Sequence, residues 1–137
     1  MRTLDEEVRN LLHQLLLDES KVLSKETGAS CLVKIKKGYP ALYNHPELTK
    51  YCQNYTKEFL NNDAVKELDL RMSSEDFSYF SQVRPACFFR LGVGNIKKKI
   101  THLVHSPHFN VDEKSIEVGV GLMSYLAIAN LLNPKKF

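Results

Sequence analysis

A chain of 137 residues with 43% apolar and 26% charged side chains has the composition of an ordinary globular protein, long enough to bury a core. That balance excludes a disordered, collagenous or small disulfide-built chain. The net charge of +3 is spread over short, separated lysine groups (Lys34, Lys36, Lys37; Lys97, Lys98, Lys99; Lys135, Lys136), whereas a nucleic-acid footprint needs a denser basic stripe, so no nucleic-acid partner is expected.

The three cysteines, Cys31, Cys52 and Cys87, form no C-x-x-C pair. Their odd count and irregular spacing argue against a disulfide framework or a structural zinc site, and free thiols point to a reducing, cytoplasmic setting. The charged start of the chain lacks the apolar core of a signal peptide. The longest apolar-rich stretch, residues 118–132, contains Ser124 and Asn130 and falls short of the roughly 20 residues a spanning helix needs. A soluble protein with no membrane partner is expected.

In chain order, the first helix is expected over residues 5–25, with Thr3 and Glu6 as a capping box and Gly28 as the stop. Val8, Leu11, Leu12 and Leu15 give it one apolar face. Alternation over residues 29–36 predicts a strand, which Gly38-Tyr39-Pro40 breaks. A second helix starts near Pro46 with Leu48, Tyr51, Cys52, Tyr55 and Phe59 on its inner face. A turn at residues 61–63 precedes a weak strand over 64–70. Ser73 or Ser74 then caps a short helix reaching about Ser81. A strong strand follows over 86–93, with one short strand around 100–104. The last helix opens near Asn110 or Asp112 and ends before Pro134. Its apolar residues (Ile116, Val120, Leu122, Met123, Leu126, Ala127 and Leu131) cover more than one face, which predicts burial between layers. The alternation of helices and strands favours an α/β or α+β sandwich.

Few segments carry candidate chemistry. His102, His105 and His108 recur at intervals of three, and imidazole is a common metal ligand. Pro107 excludes a continuous helix there, and in a strand positions 102 and 105 face opposite sides. On spacing alone, metal ligation and a surface loop both stay open. Glu75 and Asp76, at an expected helix start, are explained equally by the helix dipole. Gly92-Val93-Gly94-Asn95 lacks the third glycine of a dinucleotide fingerprint.

Five segments in order resemble one family, the metal-dependent amidohydrolases that include hippurate hydrolases, N-acyl-amino-acid deacylases, auxin-conjugate hydrolases and carboxypeptidase G. Residues 1–9 resemble its "G-T-x-R-T-(F/L)-D-x-E-V-R" segment, and Tyr39-Pro40-Ala41-Leu42-Tyr43-Asn44 its "Y-P-x-x-x-N". Ser74-Glu75-Asp76-Phe77 matches "S-E-D-F", and Phe89-Arg90-Leu91-Gly92 matches "F-x-L-G". Residues 104–113 match "L-H-S-P-x-F-x-x-D-E", with Val104 for Leu.

The resemblance implies the C-terminal part of a zinc-peptidase-like α/β catalytic domain plus half of a ferredoxin-like lid. Residues 1–40 would be the second half of the lid, or dimerisation, domain, and residues 41–137 the C-terminal third of the catalytic domain. It implies that His105 ligates one of two adjacent divalent ions and that Glu75 and Asp76 border the substrate cleft. His102 and His108 fall on positions the family does not use. The ions in the full-length family are zinc, manganese, cobalt or nickel, and none is expected on this chain alone. The remaining ligands and the general base lie in segments absent from these residues, including H-x-C-G-H-D, so no catalytic residue is expected here.

The implied activity is hydrolysis of the amide bond of N-acyl amino acids or peptides, absent from the chain alone. The partner is a missing N-terminal segment or a second copy in a homo-oligomer. The alternative is a non-catalytic remnant or self-association module. If the resemblance holds, Val104 packs inward, Phe77 and Phe109 are buried supports, and His102 and His108 are exposed.

Overall fold

The structure is a computed structural model that describes all 137 residues. Two compact units divide the chain, Met1–Tyr43 with Leu68–Pro85, and Asn44–Glu67 with Ala86–Phe137.

The first unit is built on α1, Glu6–Thr27. Asp5, not Thr3, is its N-cap, and its carboxylate accepts the N–H groups of Glu7 and Val8 at 2.7 and 3.0 Å. Thr3 instead donates its hydroxyl to the Asp5 carbonyl, and Glu6 is drawn away from the cap. The Glu6 carboxylate accepts the Ala41 N–H and pairs with Arg9, which donates in turn to the Tyr39 carbonyl. Gly28 ends the helix at φ 72°, a left-handed position that a residue with a Cβ adopts only at a cost. The side of α1 that packs carries Glu6, Arg9, Leu12 and His13, whereas Val8, Leu11 and Leu15 of the expected apolar face are exposed. Of the expected apolar face only Leu12 lies on the side that packs, because periodicity marks where apolar residues align and not what covers them.

Residues 39–43 run between α1 and a short helix α3, Ser78–Val83. Gln82 donates to the Ala41 carbonyl at 2.9 Å, and the Tyr39 and Tyr79 rings meet edge to face at 5.8 Å.

The second unit packs α2, Pro46–Phe59, against α4, Lys114–Leu132. Pro46 opens α2 at the position where its missing N–H costs nothing. The apolar core is small and lies here, formed by Tyr51, Ala86, Leu122 and Ala129. Burying Leu122, 3% exposed, contributes about 1.5–3 kcal/mol. The Tyr51 ring meets Tyr55 at 4.5 Å and Phe137 at 5.5 Å, so the chain end returns onto α2. Gly119 and Gly121 allow close approach: a Cβ there would lie 2.9 Å from Leu91 and from Phe59 respectively.

Two expectations fail. No strand forms, and the one pairing is an isolated antiparallel bridge between Asn95 and Ile100. A strand gains its stability from ladder partners, and the extended segments here place their hydrogen bonds elsewhere. In residues 86–93, Ala86 and Val93 accept from His45 and Asp112, and Phe88 exchanges two bonds with the Asn44 side chain. Residues 29–36 keep the alternation, with Val33 and Ile35 half-buried beside exposed Leu32, but have no ladder. The paired sheet of an α/β class is therefore absent.

Second, α4 is not buried between layers. Ser115, Leu122 and Ala129 form one narrow buried stripe, while Ile116, Val120, Met123 and Leu131 are exposed. With 19 residues, α4 is by length and composition alone long and apolar enough to cross a membrane.

Candidate functional site

The candidate ligand His105 lies in a loop of the second unit whose two ends Asp112 ties together. The N–H of Asp112 donates to the Val93 carbonyl at 2.8 Å. Its carboxylate accepts the Lys98 ammonium at 2.6 Å and the Asn95 side-chain amide. Lys98 foremost, then Asn95, hold the Asp112 carboxyl well below the usual carboxylate range, at about 2. The same contact raises Lys98. Asn95 and Ile100 exchange two backbone bonds of 2.9 Å, closing a tight turn in which Lys99 takes a left-handed φ of 59°.

The loop itself is a chain of turns. Ser106 N–H donates to Leu103, Phe109 N–H to Ser106, and the Ser106 hydroxyl accepts from His108 N–H at 3.2 Å. His105 sits at the apex with φ 70°, one of two non-glycine residues in that region. Such a backbone costs roughly 1 kcal/mol or more for an L-residue and is kept where the surroundings dictate it. Its side chain is exposed. Val104, expected to pack inward, is 60% exposed, and Phe109 is only partly covered at 39%. A turn at residues 104–105, in place of a strand end, leaves Val104 with no inner face. His102 and His108 are exposed as expected, yet their rings meet at 5.3 Å between centroids. Sequence reasoning missed that pairing. The signal for it was Ser106-Pro107, whose turn chemistry folds the segment back on itself.

Glu75 and Asp76 belong to the first unit. Neither Ser73 nor Ser74 caps a helix, because α3 begins only at Ser78 and has no side-chain cap. Residues 76–77 form the preceding turn, and the Glu75 and Asp76 carbonyls accept from Ser78 and Tyr79 at 3.2 and 3.0 Å. The Glu75 side chain is half-buried and Asp76 is exposed. Phe77, an expected buried support, is half-buried beside Phe80 at 5.6 Å. Ser78 beneath them is fully buried with an unpartnered hydroxyl.

A catalytic zinc normally takes three protein ligands and a water. No three His, Cys, Asp or Glu side chains come together for a metal ion in this chain. Its own residues therefore do not fit a complete metal centre, and His105 stands as a single candidate ligand.

Residues 6–129 match the model of peptidase family M20/M25/M40. Over 120 residues the chain is 26% identical to an IAA-amino acid hydrolase of Arabidopsis thaliana, covering 88% of this chain and 26% of that protein. It is 33% identical over 129 residues to a thermostable carboxypeptidase of Saccharolobus solfataricus, covering 93% and 32%. Among solved structures, it is similar to a protein described as an aminohydrolase from methicillin-resistant Staphylococcus aureus. That match has a TM-score of 0.67 and 29% identity, and covers 90% of this chain and 30% of the other. The chain thus spans about a quarter to a third of the length of these relatives.

Proposed function

Because the chain belongs to the peptidase family M20/M25/M40, we propose that it forms the C-terminal part of a metal-dependent amidohydrolase acting on N-acyl amino acids or peptides. The observation that carries this reading is the family match over residues 6–129, which takes in the apex loop of His105 and the Glu75–Asp76 turn. In this reading His105 is the metal ligand, and Glu75 and Asp76 border the substrate cleft. Amide and peptide bonds are also what the names of the hydrolase and carboxypeptidase relatives indicate.

The other ligands and the general base come from the remaining part of the family fold, on the same or a second polypeptide. Residues 1–40 act as half of a lid, and residues 41–137 as the last third of a catalytic domain. The extended segments 29–36 and 86–93 become strands of an α/β fold when neighbouring strands are supplied. The exposed apolar side chains support the need for such a partner. Leu11, Leu15 and Leu23 on α1 and Val120, Met123 and Leu131 on α4 are each 47–79% exposed. Leaving each in water forgoes about 1.5–3 kcal/mol of burial. Those faces favour association with the complementary segment or, in its absence, with a second copy.

The purified chain is expected to show no hydrolysis of hippurate or N-acetyl amino acids with added zinc, manganese, cobalt or nickel. Metal-dependent turnover by this chain alone, lost on His105→Ala, would overturn the division of ligands proposed here.

A further inference from the structure

Two histidines that the hydrolytic reading leaves without a task meet in the second unit. The imidazoles of His102 and His108 lie 5.3 Å apart between ring centroids and are inclined by 46°, neither stacked nor edge to face. Both residues are exposed. Short-range bonds fix the turn between them. On the His102 side, Ile100 exchanges two backbone bonds of 2.9 Å with Asn95. On the other side, the His108 N–H donates to the Ser106 hydroxyl at 3.2 Å, and Pro107 restricts the backbone just before it. Between them, Ser106 N–H donates to the Leu103 carbonyl at 3.2 Å and Phe109 N–H to the Ser106 carbonyl at 3.0 Å. The ring pairing therefore follows from how the backbone is folded back.

We propose that His102 and His108 form a two-histidine chelate for a divalent transition ion of the zinc type, with water in the remaining coordination positions.

The ligand chemistry and the spacing select the ion. Imidazole suits zinc, copper and nickel, whereas magnesium and calcium take oxygen ligands. A Zn–N bond of about 2.0–2.1 Å puts each ring centre roughly 3.2 Å from the ion, so a tetrahedral N–Zn–N angle sets the two centres roughly 5.2 Å apart. The spacing found is 5.3 Å. Neighbouring corners of a square-planar ion would need roughly 4.5 Å. Because the turn already holds the rings at the tetrahedral spacing, the second imidazole binds with little further ordering cost. Nearby positive charge is compensated or solvated: Lys98 pairs with Asp112 at 2.6 Å, and Lys97 and Lys99 are exposed to water. His105 lies between the pair in sequence, with φ 70°, but no third His, Cys, Asp or Glu side chain joins the two rings. An ion on the pair joins the two sides of the turn that carries His105.

The test uses the full chain with Cys31→Ser, which removes an exposed competing thiol. Zinc chloride is added at about pH 7.5, where imidazole is largely neutral, and the ring-proton NMR signals of the five histidines are followed, assigned by substitution. The His102 and His108 signals should move together and saturate with a single midpoint. His102→Ala and His108→Ala should each weaken zinc binding at least about tenfold, the lower end of what losing even an outer-shell partner costs. His105→Ala should leave the midpoint in place, and magnesium should leave both signals unmoved. Separate midpoints for the two histidines, equal weakening by His105→Ala, or an equal response to magnesium would overturn the proposal.

Discussion

The Glu6 carboxylate accepts the backbone N–H of Ala41 at 2.9 Å while pairing with Arg9 at 3.0 Å. Arg9 completes the link by donating to the Tyr39 carbonyl at 2.9 Å. Two sequence motifs more than 30 residues apart, one in the first turn of α1 and one at residues 39–44, are therefore a single structural device. Glu6→Ala should cost about 1 kcal/mol, the usual net value of such a bond on a partly exposed side chain. Urea denaturation gives the stability loss, and amide exchange at Ala41 should quicken beyond that global change. Unchanged Ala41 protection would show that Glu6 does not hold the segment.

Asp112 makes the stability of the second unit sensitive to acid. Its folded pKa, about 2, lies below the unfolded carboxylate value of about 3.9, so its contribution is fully present above the unfolded value. That contribution is lost as pH falls from about 4 through about 2. Thermal melts between pH 5 and 2 should show a steeper decline in the parent than in Asp112→Asn, which lacks the titrating group. Parallel declines would contradict the role given to the Lys98–Asp112 pair.

The two glycines of α4 should respond differently to substitution. At Gly121, an added Cβ meets Phe59 Cζ at 2.9 Å, and that ring is stacked on Tyr125 at 5.2 Å, so it cannot yield freely. Gly121→Leu should cost about 1–3 kcal/mol despite the better helix former. At Gly119 the obstacle is the mobile end of Leu91, so Gly119→Ala should be close to neutral. Denaturant midpoints of both variants check the contrast.

Much of the helical framework was legible in the sequence. Pro46, Gly28 and the apolar spacing place α1, α2 and α4 to within a few residues, because caps and period are local signals. The Thr3 cap was misread because Asp5, two residues on, offers a carboxylate to the same orphan N–H groups. The strands over 29–36 and 86–93 were misread for a different reason. Alternation records a two-faced segment, but a ladder needs a neighbour that alternation cannot supply. For the candidate site, the motif around His105 was readable, whereas its left-handed backbone and the His102–His108 contact depend on turn geometry set at Ser106 and Pro107.

The most direct test of the hydrolase reading is hydrolysis of hippurate after the chain is combined with a polypeptide supplying the rest of the family fold, with divalent metal added. The assembled pair should turn over substrate where each part alone does not. His105→Ala in the assembly should lower the rate by at least about a hundredfold, the upper end of what losing even an outer-shell partner costs. His108→Ala should retain the parent rate. Full activity with His105→Ala would contradict the account.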